Sequence, residues 1–468
     1  MSAAAKPAKL AQLAGLRNFL LIWFGQLVSG VGSRLSAFAL GIWVLQSTGS
    51  TTRFALIFVA MAVPALLVSP LAGALVDRWD RRRVMLGCEL LSAASMLTLA
   101  ALLAFDRLAL WHIYAGVGLS SLANAFLAPA YSASIPLLAT REQLSRVNGL
   151  VQTGAAVAQV AGPLLAGVLV SSISLYGVLL VDAASFLTGA AALALARVPR
   201  PPRAEGPDPA DPAGGGGLWR EAGEGWRYVR SRGGLLGLLS VFGVNNFLFG
   251  IASIAITPLV LSFADPAMLG LQMGLGGAGL LLGGLAMTAS GGPTRRIHGV
   301  LGCSLLAGLA LALHGLAPSM LLVTAAGFAL FAMLPVIGAC NDSLWQSKVP
   351  AALQGRCFAI QRVLSESAMP VGYVLAGPLA ERLFEPLLAR DGALADSLGR
   401  WIGTGAGRGI GLMFITLGLL MAAVALAAWC VPAVRHVEQL PDACDGPAAT
   451  TERGQMAPAG HGGHAGAA

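Results

Sequence analysis

The sequence predicts an all-α membrane protein in which twelve transmembrane helices form two pseudo-symmetric six-helix bundles. Three observations carry that expectation. Of the 468 residues, 56% are hydrophobic and only 11% charged, with a mean hydropathy of +0.74, against about 45–50% apolar and about 25% charged in soluble domains. Twelve apolar segments are long enough to cross a hydrocarbon slab of roughly 30 Å, which takes about 20 residues of helix. Between the sixth and the seventh lies RPPRAEGPDPADPAGGGG, residues 200–217, a Pro/Gly-rich string that has no means of burying apolar surface and reads as a flexible linker.

The predicted spans, numbered 1 to 12, are residues 19–45, 53–76, 84–105, 110–137, 147–171, 174–196, 234–263, 267–289, 297–315, 318–343, 357–381 and 409–432. The chain thus divides into an N-terminal segment (1–18), a first bundle (19–197), a linker with an interfacial helix (198–232), a second bundle (233–433) and a disordered tail (434–468). An even number of spans puts both termini on one side. Twenty-three of the 30 Lys and Arg fall on that side, while only Arg53, Arg107, Arg382, Arg390, Arg400 and Arg408 fall on the other. Positive residues stay on the cytoplasmic face, so both termini are expected in the cytoplasm of a cell bounded by this inner (plasma) membrane. The net charge of +8 is spread over loops rather than gathered into one patch, which argues against nucleic acid as a partner.

Taken in order, the start MSAAAKPAKLAQLAGLRNF has no short apolar core followed by a cleavage site, so no removable signal peptide is expected. Span 1 carries Gln26 and, about 15 residues from its cytoplasmic end, Arg34. An arginine at that depth is expected to face a cavity or a carboxylate. GALVDRWDRRR, Gly73 to Arg83, packs six charges into seven positions after span 2. At roughly 2.5–3.5 kcal/mol per buried charge, this segment must be an interfacial loop. Glu89, shortly after it, and Asp342, near the inner end of span 10, are assigned to a gate network at that loop. Span 4 contributes Asn124, span 5 Gln159 and span 7 the adjacent pair Asn245 and Asn246, all candidates for hydrogen-bonding a substrate or for joining helices.

Span 5 contains AGPLLAG and span 11 contains AGPLAER. These positions are equivalent under a six-helix repeat, and matched Gly-Pro interruptions are marks of a duplicated transporter fold. Gly162, Pro163, Gly377 and Pro378 are accordingly read as helix hinges. Two further acids lie within spans. Asp182 in span 6 sits roughly 12 Å deep, and Glu366 lies about 15 Å up span 11 from Arg356. Glu366 is the leading candidate for carrying a proton, with Asp182 second. The competing reading for Glu366 is a permanent bridge to Arg362, four residues back on the same face.

In the linker, LWREAGEGWRYVRS sets Leu218, Ala222, Trp226 and Val229 on one helical face, which suits a helix at the membrane surface or, alternatively, one that binds a soluble partner. GLGGAGLLLGG, Gly274 to Gly284, lies in an apolar span with no GK[ST] after it, so close helix packing explains it and nucleotide binding does not. Six dispersed cysteines lack CxxC or metal-ligand spacing. Neither a metal nor any other cofactor is expected.

GALVDRWDRRR resembles the signature loop of the major facilitator superfamily, with Gly73, Leu75, Asp77, Arg78, Arg81 and Arg82 in matching positions. In the second half only SGGPTRRIHG stands at the corresponding place. AFLAPAYSASIPLL in span 4 and GPLLAG in span 5 are similar to the branch that contains enterobactin exporters and macrolide efflux pumps. Span 5 departs from the antiporter pattern GxxxGPxxGG at Ala158 and Ala166, and span 4 has Asn124 and Ser121 where many proton antiporters carry a basic residue.

The resemblance implies two bundles rocking about a central cavity, with the loop after span 2 as a cytoplasmic gate. Asp77 would face the N-terminus of span 11 or a nearby arginine, and Arg78, Arg81 and Arg82 would meet carboxylates or lipid phosphates. It further implies a monomeric secondary transporter that exchanges protons for a small amphipathic substrate, such as a siderophore, a peptide-like metabolite or a macrolide-type drug, in contact with membrane lipids. An importer or lysophospholipid flippase on the same fold, and a non-transporting scaffold or sensor, are the rival readings.

Overall fold

The computed structural model describes residues 5–139, 143–197 and 218–439. The predicted flexible linker string and nearly all of the predicted tail lie outside these residues. Among the described residues eleven helices are long and apolar enough to cross a membrane, and a broken pair of helices stands at the place of span 11. Span 1 is the greater part of Ala5–Thr48, so helix begins well before the predicted boundary at residue 19. Span 2 is Thr51–Arg78, span 3 Arg81–Ala104 and span 4 Leu110–Leu138. Spans 5 and 6 share one run, Leu144–Leu195, interrupted at Ser174, whose φ of 59° is unusual for a residue with a Cβ. After the linker helix Leu218–Ser231 come span 7, Gly233–Leu261, span 8, Pro266–Ser290, span 9, Arg296–Leu313, and span 10, Met320–Lys348. Span 12 is Arg408–Cys430.

Short polar caps at water-facing ends set these limits. Ser50 accepts from the Arg53 amide at 3.2 Å, Asp80 from Arg83 at 3.2 Å and Asp265 from Met268 at 2.8 Å, each satisfying a first-turn donor that hydrocarbon could not. Gly291, at φ 70°, ends span 8 in the left-handed conformation. Span 11 consists of Ala351–Glu366 and Ala368–Pro378. Pro370 explains the break, because its ring crowds the carbonyl of Glu366 and it offers no amide to bond it. A π-helical stretch, Leu379–Phe384, follows.

Two ends of the bundle are distinguished below. The terminal end carries Ala5 and Gln439, and the distal end carries the start of span 2 and the loop between spans 11 and 12. In the first half, one apolar cluster around Phe19, Ile22, Met85 and Leu193 lies toward the terminal end. A second, around Leu40, Val44, Leu99 and Leu179, lies toward the distal end. The second half shares one larger core around Trp345, Phe414 and Ile254, which also takes in Phe54 and Ala55 of span 2. Leu67, Leu285 and Leu321 lie more than 60% exposed on the outside, where hydrocarbon rather than water suits them.

The linker helix packs on the terminal end of the second half. Val229 is fully buried, the Tyr228 hydroxyl donates to the Lys348 carbonyl at 2.8 Å, and Trp226 stays exposed. Of the predicted apolar face, Val229 therefore serves packing within this protein's own second half, where the linker helix lies against spans 7 and 11.

Candidate functional site

Gln26, Ser29, Ser33 and Ser36 recur at intervals of three, four and three, which sets them on one face of span 1. That face lines a cavity of about 520 Å³ enclosed by spans of the first half, within the roughly 300–1,000 Å³ range of small-molecule pockets. Two carboxylates reach it from other helices. Glu89 of span 3, 1% exposed, accepts from Gln26 Nε2 at 2.7 Å and Ser29 Oγ at 3.3 Å through Oε1. Asp182 of span 6, also 1% exposed, accepts from Ser36 Oγ and, at 3.2 Å, from Ser185 Oγ. Arg34 opens onto the same cavity and forms no ion pair among the described residues. Trp23, Met61, Met96 and Phe186 supply apolar wall.

Glu89, Ser120 and Tyr131 all line this cavity, and Glu89 Oε2, Ser120 Oγ and the Tyr131 hydroxyl are buried without a hydrogen-bond partner among the described residues. A buried polar atom left unpaired costs about 1–3 kcal/mol. Three around one space therefore mark a surface suited to a ligand that brings both donors and acceptors.

The structure brings Gln26, Arg34 and Asn124, read from the sequence as cavity candidates, together with Asp182, read as a proton-coupling candidate, and with Glu89. The assignment of Glu89 to the gate is thereby corrected. Span 3 begins at Arg81, so Glu89 lies about 12 Å along it, deep enough to meet the polar face of span 1. Gln159 is half-buried and does not line the cavity. Asn246 Nδ2 donates to the Ser365 carbonyl at 2.9 Å, joining spans 7 and 11, while Asn245 Oδ1 and Ser365 Oγ are buried and have no partner among the described residues.

Glu366 is the second correction. It closes the first segment of span 11, is exposed, and pairs with Arg362 at 3.1 Å. The bridge reading of that acid is the one realised, outside the first-half cavity.

At the loop after span 2, the side chains of Gly73, Asp77 and Arg78 lie outside the described ones. Arg81 donates to the Ala133 carbonyl at 2.7 Å, and Arg82 to the carbonyls of Leu193 at 2.8 Å and of Ala194. These contacts tie span 3 to spans 4 and 6 within one bundle. Asp342 is exposed on span 10.

The halves meet along two seams, and the matched Gly-Pro motifs lie on both. In span 5, Gly162 packs on Arg34 so closely that a Cβ would lie 2.4 Å from the Arg34 Cβ. The next residues turn to span 8, where a Cβ on Gly270 would lie 2.5 Å from the Pro163 carbonyl, and Gly274 faces Leu164. In span 11, Gly377 rests on the backbone of Thr52 in span 2. Gly162, Pro163 and Gly377 thus lie at close helix contacts; helix is continuous through Gly162 and Pro163, while the α-helix passes into the π-helical stretch just after Pro378.

Span 11 ends at Pro378 rather than at the predicted residue 381, and beyond it, level with Ser50 in the turn before span 2, Glu381 crosses the second seam. Its carboxylate accepts from Ser50 Oγ at 2.9 Å, the Thr52 amide at 3.0 Å and Thr52 Oγ1 at 2.8 Å. An acid of the second half thus caps the positive N-terminal end of span 2. Burial opposes ionisation of Glu381, but the bonds from Thr52 and Ser50 outweigh it and hold the carboxyl below its ordinary range. Phe58 and Tyr373, with ring centroids 5.9 Å apart, continue the seam inward.

Two helical halves, a polar cavity within the membrane and tight seams at one end define a multi-pass membrane transporter. A sequence profile described as Major Facilitator Superfamily matches residues 22–384, and the chain belongs to that family. Macrolide efflux protein A of Streptococcus pyogenes is 26% identical over 385 residues, covering 78% of this chain and 90% of that protein. Multidrug efflux pump Tap of Mycolicibacterium fortuitum is 27% identical over 383 residues, covering 77% and 89%. Among solved structures, a bacterial homologue of the human lysosomal transporter Spinster superposes with a TM-score of 0.68 at 15% identity, covering 91% of this chain and 98% of that one. The nucleoside transporter NupG does so with 0.64 at 11%, covering 88% and 98%. These two likenesses establish the fold.

Proposed function

We propose that this protein exports a small amphipathic molecule, of the macrolide or multidrug type, across the plasma membrane by alternating access coupled to protons. The observation that carries the proposal is the first-half cavity, where two buried carboxylates, a guanidinium and three polar atoms, the last four without partners among the described residues, face one space. Macrolide and multidrug efflux relatives support the substrate class and the outward direction. Their names give no support to a siderophore.

With both termini in the cytoplasm, as the distribution of Lys and Arg requires, the terminal end faces inward and the distal seams close the outside. Substrate enters from the cytoplasmic side of a protein acting as a monomer. A carboxyl that moves between a wet and a dry setting alternates between charged and neutral forms, because an unpaired charge in low dielectric is expensive. Glu89 and Asp182 take that role. Arg34 lies against the Gly162 contact of span 5, so substrate binding at Arg34 is relayed to the seam that must open.

Arg34→Gln is expected to weaken substrate binding about tenfold, the worth of one charge-assisted hydrogen bond. Quenching of Trp23, which lines the cavity, measures this on titration with a macrolide, with Trp23→Phe as the signal control. Unchanged affinity and unchanged transport in Arg34→Gln would remove the arginine from the site.

A further inference from the structure

A second pocket, of about 250 Å³, lies at the terminal end of the second half, between the start of span 9 and the residues just after span 12. Arg295, His298, Arg435 and His436 line it, with Glu438 as the one acid. That acid is already engaged. Its carboxylate accepts from the Ile297 amide at 2.9 Å, capping span 9, and its carbonyl accepts from Lys348 Nζ at 2.6 Å. Arg295 and Arg435 make no ion pair or hydrogen bond among the described residues. Two exposed guanidiniums with no ion-pair partner among the described residues therefore line one small space, beside a single carboxylate that already caps span 9.

We infer that this pocket binds the phosphate of an anionic membrane lipid. Guanidinium groups in a pair match phosphate oxygens in geometry as well as charge. The surroundings favour a lipid over a free ion. His298 stacks on Trp429, with centroids 5.2 Å apart, and tryptophan is a residue of the membrane interface. Leu426 and Val431, beside Trp429 in sequence, are 50% and 45% exposed and offer apolar surface for acyl chains above the headgroup. A phosphate held there would join the loop between spans 8 and 9 to the chain leaving span 12. The inference stands apart from the transport reading, since it concerns neither the cavity nor the seams.

The test is native mass spectrometry of the full-length protein in detergent with added phosphatidylglycerol or phosphatidylcholine. Wild type is expected to retain phosphatidylglycerol selectively. Retention should fall about fivefold for each of Arg295→Gln and Arg435→Gln, the loss of one arginine's attraction to an anionic headgroup. Arg400→Gln, at the distal end, is the folded control and should retain lipid normally. Equal retention by Arg295→Gln, Arg435→Gln and wild type would overturn the inference. So would displacement of phosphatidylglycerol by millimolar inorganic phosphate, which would make the site one for the free ion.

Discussion

Glu89→Gln and Asp182→Asn are each expected to abolish substrate accumulation driven by a pH gradient while sparing downhill counterflow. The amides preserve the shape of the site, because Gln and Asn oxygens can still accept from Gln26, Ser29, Ser36 and Ser185. What they remove is the exchangeable proton. A transporter whose coupling carboxyl is permanently neutral still equilibrates substrate across the membrane but cannot concentrate it. Counterflow and pH-driven uptake in proteoliposomes separate the two effects. Glu366→Gln supplies the contrast. Its pair with Arg362 is an exposed pair one helical turn apart, worth about 0.3–0.5 kcal/mol, and uptake should remain pH-driven. If Glu366→Gln loses coupling while Glu89→Gln and Asp182→Asn keep it, the proton is carried on span 11.

The second large effect is expected at the distal gate. Glu381→Gln keeps an acceptor but loses the charge that faces the N-terminus of span 2. A hydrogen bond to a charged group contributes about 1.5–3 kcal/mol. Glu381 is only half-buried, so the lower figure applies after screening, and the balance between closed and open distal gates should shift roughly tenfold. Spin labels at Gln46 and Leu383, both exposed on opposite sides of the seam, should report a longer distance in the variant. An unchanged distance distribution would mean that Gly377 and the Phe58–Tyr373 contact hold the seam without the acid.

The pH dependence of the latch has a definite sign. The carboxyl is held below its ordinary range in the closed gate, so its contribution is complete above the ordinary value of about 4.3. That contribution is lost as pH falls through the depressed value. Between about pH 5 and 8 the latch is constant. A pH response of transport in that window would come from other groups, and the proposed function assigns it to the cavity carboxyls.

Set beside the expected role of Asp77, the Glu381 contact suggests a reciprocal arrangement of spans 2 and 11 as a proposal. The sequence places Asp77 at the terminal end of span 2, facing the start of span 11 by family resemblance. The structure places Glu381 past the distal end of span 11, bonded to the start of span 2. Each helix would bring an acid to the other's N-terminus, one on each face of the membrane.

Hydrophobic length made the helical layout legible, because a bilayer accepts few alternatives to a continuous apolar helix. Span 11 was legible as a span but its break was not placed, although Pro370 carries the signal. Asp182, Arg34, Asn124 and Gln26 could be singled out because polar groups in hydrocarbon are few. The orientation of their helices could not be read, and this is why Glu89 was assigned to the gate. One available signal went unused: the stripe Gln26, Ser29, Ser33, Ser36 repeats at helical spacing and marks the wet face of span 1. Glu381 illustrates the harder limit. It stands in the repeated AGPLAER motif, yet its partner Thr52 is 329 positions away, and no local pattern encodes that meeting.

The most direct test of the account is macrolide uptake into proteoliposomes of the wild-type protein under an imposed pH gradient. The account predicts accumulation against the macrolide gradient that collapses when a protonophore is added. Absence of any gradient-dependent macrolide flux, with the protein folded and correctly inserted, would contradict it.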